Sequence, residues 1–278
     1  MFSVPTFTGP VEFTPSFSPR PQISHVVFDF DGTLSWLRHG WPELMYQLFR
    51  PLYPTIPGET EATIHNFLLG EILSLNGKPT IFQTNRFAEL VHARGAQSPS
   101  PEALLHDYQS RLDQIIAERT NLILTGRASK DDFVVFGARK FLDQLHAQGI
   151  KLIILSGTIE HRVKEEAALL NLAHYFGQHI YGSRPDSNEL SKRIVLDRLL
   201  RDEKIEGHHL LSFGDGPVEI FHTRELGGLA VAVASDEDDN GSGKMDPHKR
   251  QQLLKAGADV VIPDYRDAAT LLKMILQR

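Results

Sequence analysis

The chain has 278 residues, 41% apolar and 23% charged, proportions of an ordinary globular protein that exclude wholesale disorder. Twenty-nine Lys and Arg against 35 Asp and Glu give a formal net charge of -6, with neither the basic footprint of nucleic-acid binding nor a polybasic stretch for an anionic membrane surface. The absence of cysteine excludes disulfides, zinc–cysteine sites, iron–sulfur ligation and thiol nucleophiles. It also suits a reducing compartment, and no apolar run reaches the roughly 18 residues of a membrane span, so a cytoplasmic location is expected.

Residues 1–24 carry Pro5, Pro10, Pro15, Pro19 and Pro21 and lack the basic start and continuous apolar stretch of a signal peptide. Proline blocks helix and most ladder pairing, so an extended arm is expected. Phe2, Phe7, Phe13 and Phe17 are available to pin it to a groove of its own domain or of a partner; a loosely attached tail is the alternative. HVVFDF (25–30) is apolar on both faces, as in a strand inside a parallel sheet. Asp29 and Asp31 sit two residues apart at its end and leave it on the same face, where two carboxylates repel unless a cation lies between them. Alone, Asp31–Gly32 reads equally well as a turn.

From 36 to 132 there is no convincing buried strand. Residues 80–94 and 101–120 have helical spacing, the latter through Leu104, Leu105, Tyr108, Leu112, Ile115 and Ile116. A helical module inserted here, after the first strand, would lie over the crevice where such sheets bind ligands. Within it GKPTIFQTNR (77–86) is the candidate specificity segment, with Lys78, Thr80, Gln83 and Arg86 as polar contacts. A helix is then expected over 137–149 and a strand over 151–156. The strand ends in Ser156, with Gly157 and Thr158 at the start of a helix over 158–171. A hydroxyl beside free N-terminal amides is an anion site, or merely a cap. A weaker strand (178–183) precedes a helix (189–203) carrying Lys192, which in isolation reads as a solvated charge. The strand 209–214 runs into Asp215 and Gly216, followed by a helix (217–227) with Glu219. Strands over 229–235 and 258–264 and a last helix over 266–277 complete the pattern. The acidic stretch 235–246 lacks EF-hand spacing and is read as a solvated surface loop. Carboxylates repeated at strand ends suit a hard cation such as Mg²⁺. Alternating strands and helices predict a doubly wound, mainly parallel α/β sheet of Rossmann-like form with an inserted all-α unit.

DFDGT, a strand ending SGT, a Lys and GDGPVE, in that order, resemble the four motifs of the haloacid dehalogenase superfamily, over about 180 residues of core. With a helical insert after the first motif, the chain is most similar to the family's phosphoglycolate phosphatase-like branch. The resemblance implies a core of residues 25–35 and 133–278, a helical cap of 36–132, and a phosphatase acting on a small phosphorylated metabolite. It implies Asp29 as nucleophile, Asp31 as general acid/base, and Ser156, Gly157 and Lys192 as phosphate contacts. Mg²⁺ would be held by Asp29, Asp215 and the main-chain carbonyl of Asp31, with Thr33 and Glu219 in support. Covalent catalysis agrees with the difficulty of the reaction, since a general base alone supplies only about 10²–10⁴-fold. A sugar phosphomutase on the same core and a non-catalytic phospho-ligand-binding module are the alternative readings.

Overall fold

The computed structural model of the chain describes residues 6–183 and 192–277. Phe2, the first residues of the expected helix at 189 and the segment between Ser183 and Lys192 lie outside the described residues.

The arm includes a short strand, β1 (Glu12–Phe13), and the chain then enters β2 (His25–Phe28). Next come four helices: α1 (Trp41–Phe49), α2 (Glu61–Ser74), α3 (Ile81–Ala93) and α4 (Pro101–Leu124). Helix α5 (Ala138–Ala147) leads into β3 (Lys151–Ile159), α6 (Glu160–Leu169), α7 (Ala173–Phe176) and β4 (Ile180–Ser183). The chain continues through α8 (Lys192–Glu203), β5 (Leu210–Gly214), α9 (Pro217–Glu225), β6 (Leu229–Val233), α10 (Pro247–Lys255), β7 (Val260–Ile262) and α11 (Ala268–Leu276).

The strands form one seven-stranded sheet in the order β1-β7-β6-β5-β2-β3-β4, parallel except for β1. Both faces of its centre are covered. On β2, Val26 and Phe28 join the cluster that includes Phe141 of α5 and Leu272 and Ile275 of α11, while Val27 packs with Val195, Leu196 and Leu199 of α8. That is the alternation of a doubly covered parallel strand. Strand β2 has β3 on one side and β5 on the other, so the order of the chain reverses around it. At such a switch point the loops beyond the strands' carboxyl ends splay apart and leave a crevice.

The arm is fastened to its own sheet. Glu12 and Phe13 pair antiparallel with Val261 and Val260 at an otherwise open edge. Phe13 stacks edge-on with Phe17 at 4.8 Å and lies 5.8 Å from Phe7. The prolines do not prevent this ladder because it is two residues long and falls between Pro10 and Pro15.

The helices between β2 and α5 build an apolar cluster of their own, with Met45, Phe49, Ile64, Leu68, Phe87, Val91, Leu104 and Leu112. The spacing at 80–94 and 101–120 anticipated α3 and α4. It missed α1 and α2, because α2 carries apolar residues around most of its circumference and packs against α10 as well as its own neighbours. Among the described residues no helix is long and apolar enough to cross a membrane.

Candidate active site

Strand β2 ends at Phe28, and Asp29 follows with its N–H still bonded to the Phe213 carbonyl of β5 at 2.9 Å. This fixes Asp29 in the crevice. Its Oδ1 accepts the Phe30 N–H at 2.8 Å, and its Oδ2 lies 3.0 Å from the Lys192 ammonium. Gly32, at φ +72°, lets the chain turn here. A Cβ at this position would come within 2.1 Å of Asp215 Oδ2, so the turn and the approach of Asp215 both need glycine.

Asp31 is not a free turn residue. Its Oδ1 accepts from Arg38 Nη1 at 2.5 Å and its Oδ2 from the Thr158 hydroxyl at 2.7 Å. Arg38 also donates through both terminal nitrogens to Glu166 of α6. It sits just before the first helix of the insert. Nothing in LSWLRHG (34–40) distinguishes this arginine from a surface one.

Ser156 is buried at the carboxyl end of the central part of β3. The expected helix start at Gly157–Thr158 is corrected: β3 continues to Ile159, past a register shift against β4, and α6 begins only at Glu160. Gly157 and Thr158 are therefore extended backbone beside the crevice, and Ser156 Oγ accepts the Thr158 N–H at 3.1 Å. The sequence could not separate a capped helix from a strand that runs on, because Ser–Gly–Thr suits both.

Lys192 opens the described part of α8 and is buried, 6% exposed, so the solvated reading of this lysine fails. Its ammonium bridges Asp29 Oδ2 and Glu219 Oε2, the latter at 2.9 Å. Glu219 is locked from its other side by the Gly216 N–H at 2.7 Å, as Glu219 Oε1 caps the start of α9. Asp215 is buried just beyond β5, its carbonyl bound by the Asn76 side chain at 3.2 Å. Thr33 is fully buried, and its hydroxyl has no hydrogen-bond partner among the described residues.

Asp29, Asp31, Ser156, Gly157 and Lys192 line one cavity of about 430 Å³; Asp215 and Glu219 are buried close behind. The opposite wall comes from the helical insert, through Trp41, Gly77, Lys78, Ile81 and Tyr108 among others. Of the specificity candidates, Lys78, Thr80 and Gln83 reach the cavity, but the Gln83 amide is committed to the Ile72 carbonyl. Arg86 does not line it; it pairs with Glu71 and Glu89 on the insert. The stretch 235–246 is not merely a solvated loop either. Ser235 is buried and its hydroxyl donates to the Gly32 carbonyl, and Glu237 pairs with the buried Lys249.

Burial pushes the Asp29 carboxyl up to about 7, with Lys192 opposing and Glu219 reinforcing the shift. Burial likewise pushes Asp215 up to about 7 against the pull of Lys249. Burial lowers Lys192, but Asp29 and Glu219 outweigh it and hold the ammonium above the ordinary lysine range. Carboxylates crowded away from water resist ionisation until positive charge reaches them. Asp29, Asp215 and Glu219 each offer an oxygen within 4.8 Å of the others, and among the described residues the buried Asp215 Oδ2 has no hydrogen-bond partner. An all-oxygen donor set with an orphaned carboxylate oxygen fits a hard divalent cation.

Comparison with known proteins adds to this geometry. Residues 23–221 match the family model for haloacid dehalogenase-like hydrolases. A search of curated proteins returns no match. Among solved structures, the chain is similar to a conserved haloacid dehalogenase-like protein of unknown function from Agrobacterium tumefaciens. The two are 16% identical with a TM-score of 0.62, over 90% of this chain and 97% of that one. A HAD family hydrolase from Deinococcus radiodurans, determined with bound phosphate and sodium, gives 13% identity and a TM-score of 0.57 over 92% and 98% of the two chains. A predicted phosphoglycolate phosphatase from Haemophilus somnus gives 14% and 0.54 over 90% and 98%. At these identities the likeness is one of fold.

Proposed function

The chain belongs to the haloacid dehalogenase-like hydrolase family, and on that premise we propose that it hydrolyses the phosphate monoester of a small metabolite through an aspartyl-phosphate on Asp29. The observation that carries this reading is the convergence of Asp29, Asp31, Ser156 and Lys192 on one cavity, with further carboxylates buried behind Asp29.

In this reading Ser156, the Gly157 backbone and Lys192 hold the phosphoryl oxygens, and the Lys192 charge offsets their repulsion by Asp29. The Asp29 carboxylate attacks phosphorus as the bond to the leaving alcohol breaks, and Asp31 gives that alcohol its proton. Asp31 then takes a proton from water as the water attacks the aspartyl-phosphate, releasing inorganic phosphate and restoring both carboxyl groups. Arg38 and Thr158 hold Asp31 where it can serve both steps. Asp29, Asp215 and the Asp31 carbonyl would hold Mg²⁺, with Glu219 in support. That cation supplies charge neutralisation of the phosphoryl oxygens. The insert of residues 36–132 acts as a cap that admits the substrate and excludes water during the first step. A cavity of about 430 Å³ suits a metabolite, not a macromolecule.

The test is release of inorganic phosphate from a panel of sugar phosphates, phosphoglycolate, nucleoside monophosphates and polyol phosphates. Turnover is expected only with Mg²⁺, lost in excess chelator and restored on adding the metal. Isomerisation of a sugar phosphate without phosphate release would instead make the chain a mutase. Full turnover in chelator after dialysis would remove the metal assignment.

A further inference from the structure

A second buried lysine lies against the site, outside the four motifs and outside the residues that match the family model. Lys249, on α10, is 1% exposed, a depth lysine reaches almost only when paired. Its ammonium lies 3.2 Å from Asp215 Oδ2, donates to Ser235 Oγ at 3.1 Å and bonds to Glu237 Oε1. Among the described residues Lys249 is the cation that reaches Asp215 Oδ2, at ion-pair distance. The partners lead outward. Ser235 Oγ donates to the Gly32 carbonyl at 2.8 Å, beside Asp31, and Glu237 Oε2 accepts the Gly40 N–H at 2.8 Å, where the chain enters the first helix of the insert. One ammonium thus ties together the ends of β5 and β6, the turn after Asp31 and the root of the insert.

The charges explain why a lysine is placed there. Asp29, Asp215, Glu219 and Glu237 are four carboxylates against the two ammonium groups of Lys192 and Lys249. The carboxylates outnumber the ammonium groups in contact with them, which favours a further positive charge. Without Lys249 the metal-free site would carry a larger excess, and the buried Asp215 would lose its ion-pair partner among the described residues.

We propose that Lys249 is a resident counter-cation of the metal-side carboxylates: it stabilises the metal-free protein, limits the affinity for a divalent cation, and is itself tempered by Glu237. The inference rests on the metal reading above. A positive charge beside Asp215 opposes an incoming cation, and drawing that charge toward Glu237 weakens the opposition.

The test is calorimetric titration of the full chain with MgCl₂ and with MnCl₂, without substrate, together with thermal unfolding in chelator and in Mg²⁺. Lys249→Met is expected to lower the unfolding temperature in chelator, to bind Mg²⁺ about tenfold more tightly and to gain more stability from Mg²⁺ than the wild type. Lys249→Arg, which keeps the charge, should stay close to the wild type. Glu237→Gln should weaken Mg²⁺ binding in the wild-type background and do so far less beside Lys249→Met. Unchanged or weaker binding by Lys249→Met, or a stability loss equal with and without Mg²⁺, overturns the proposal. If Lys249→Met does not fold, Glu237→Gln decides: unchanged affinity overturns it. A wild-type chain that binds neither cation removes the metal reading and this inference with it, an outcome distinct from a metal-binding chain indifferent to Lys249.

Discussion

Asp31 is engaged through both carboxylate oxygens, by Arg38 from the linker into the insert and by Thr158 from the extension of β3. An Asp in a plain Asp–Gly turn would need neither. This arrangement sharpens a test of roles. Asp29→Asn is expected to abolish turnover and leave no covalent intermediate. In the proposed mechanism Asp31→Asn keeps Asp29, the phosphate contacts and the main-chain carbonyl, and removes the proton donor and base together with the charge that pairs with Arg38. An aryl phosphate, whose leaving group needs little protonation, should still phosphorylate Asp29 in this variant, and the intermediate should accumulate as an added phosphate mass on the peptide carrying residue 29. Alkyl esters should lose about 10²–10⁴-fold in turnover. Near-wild-type hydrolysis of alkyl phosphates by Asp31→Asn would return Asp31 to a turn residue.

The arm shows how an element without a strong propensity is held by a few polar contacts. Asp267 accepts the N–H and hydroxyl of Thr8 and the N–H of Gly9, at 2.7–3.0 Å, and so anchors the stretch leading into β1. Burial alone would raise its pKa, but these hydrogen bonds outweigh burial and hold it below the ordinary value of 3.8. Its folded pKa being depressed, Asp267 contributes its full stabilisation above 3.8 and loses it as the pH falls through the lower folded value. Asp267→Asn should therefore cost about 1–3 kcal/mol at neutral pH, measured by chemical denaturation. The difference from wild type should shrink toward pH 3, and limited proteolysis should cut ahead of β1 in the variant first. A pH-independent difference would show that the carboxylate charge is not what holds the arm.

The insert and the sheet have separate apolar clusters, yet the insert completes the cavity wall and reaches the site through Asn76 and Gly77. At Gly77, φ +84°, an added Cβ would come within 2.9 Å of Glu219 Oε2, so the loop lies directly on the core. Ile123, near the end of α4, belongs to the cluster of the sheet. Replacing residues 41–118 by a short Gly/Ser bridge, which spares Ile123, should thus leave a cooperatively folding core by circular dichroism. That core should lose its ranking among metabolite esters while still hydrolysing small aryl phosphates. The same substrate ranking before and after would place specificity in the core.

Patterns repeated along a strand or helix are legible in the sequence. Buried apolar runs marked the central strands, and carboxylates, a hydroxyl and a lysine at strand ends or helix starts marked the crevice, because parallel strands must end on the same side of their sheet. Contacts made across the fold were not legible. α10 reads PHKRQQLLK, and its one lysine at a core position hides its buried face from any apolar pattern. Arg38, Ser235, Glu237 and Lys249 look like surface residues in the chain; Arg38, Ser235 and Lys249 become partners of Asp31, Gly32 and Asp215, with Glu237 behind Lys249, only when strand ends, linker and α10 are brought together. The residue types at the carboxyl end of the sheet follow from local sequence. Which charges stand behind them depends on long-range packing, because burial makes each unpaired charge costly and only the folded chain can supply its partner.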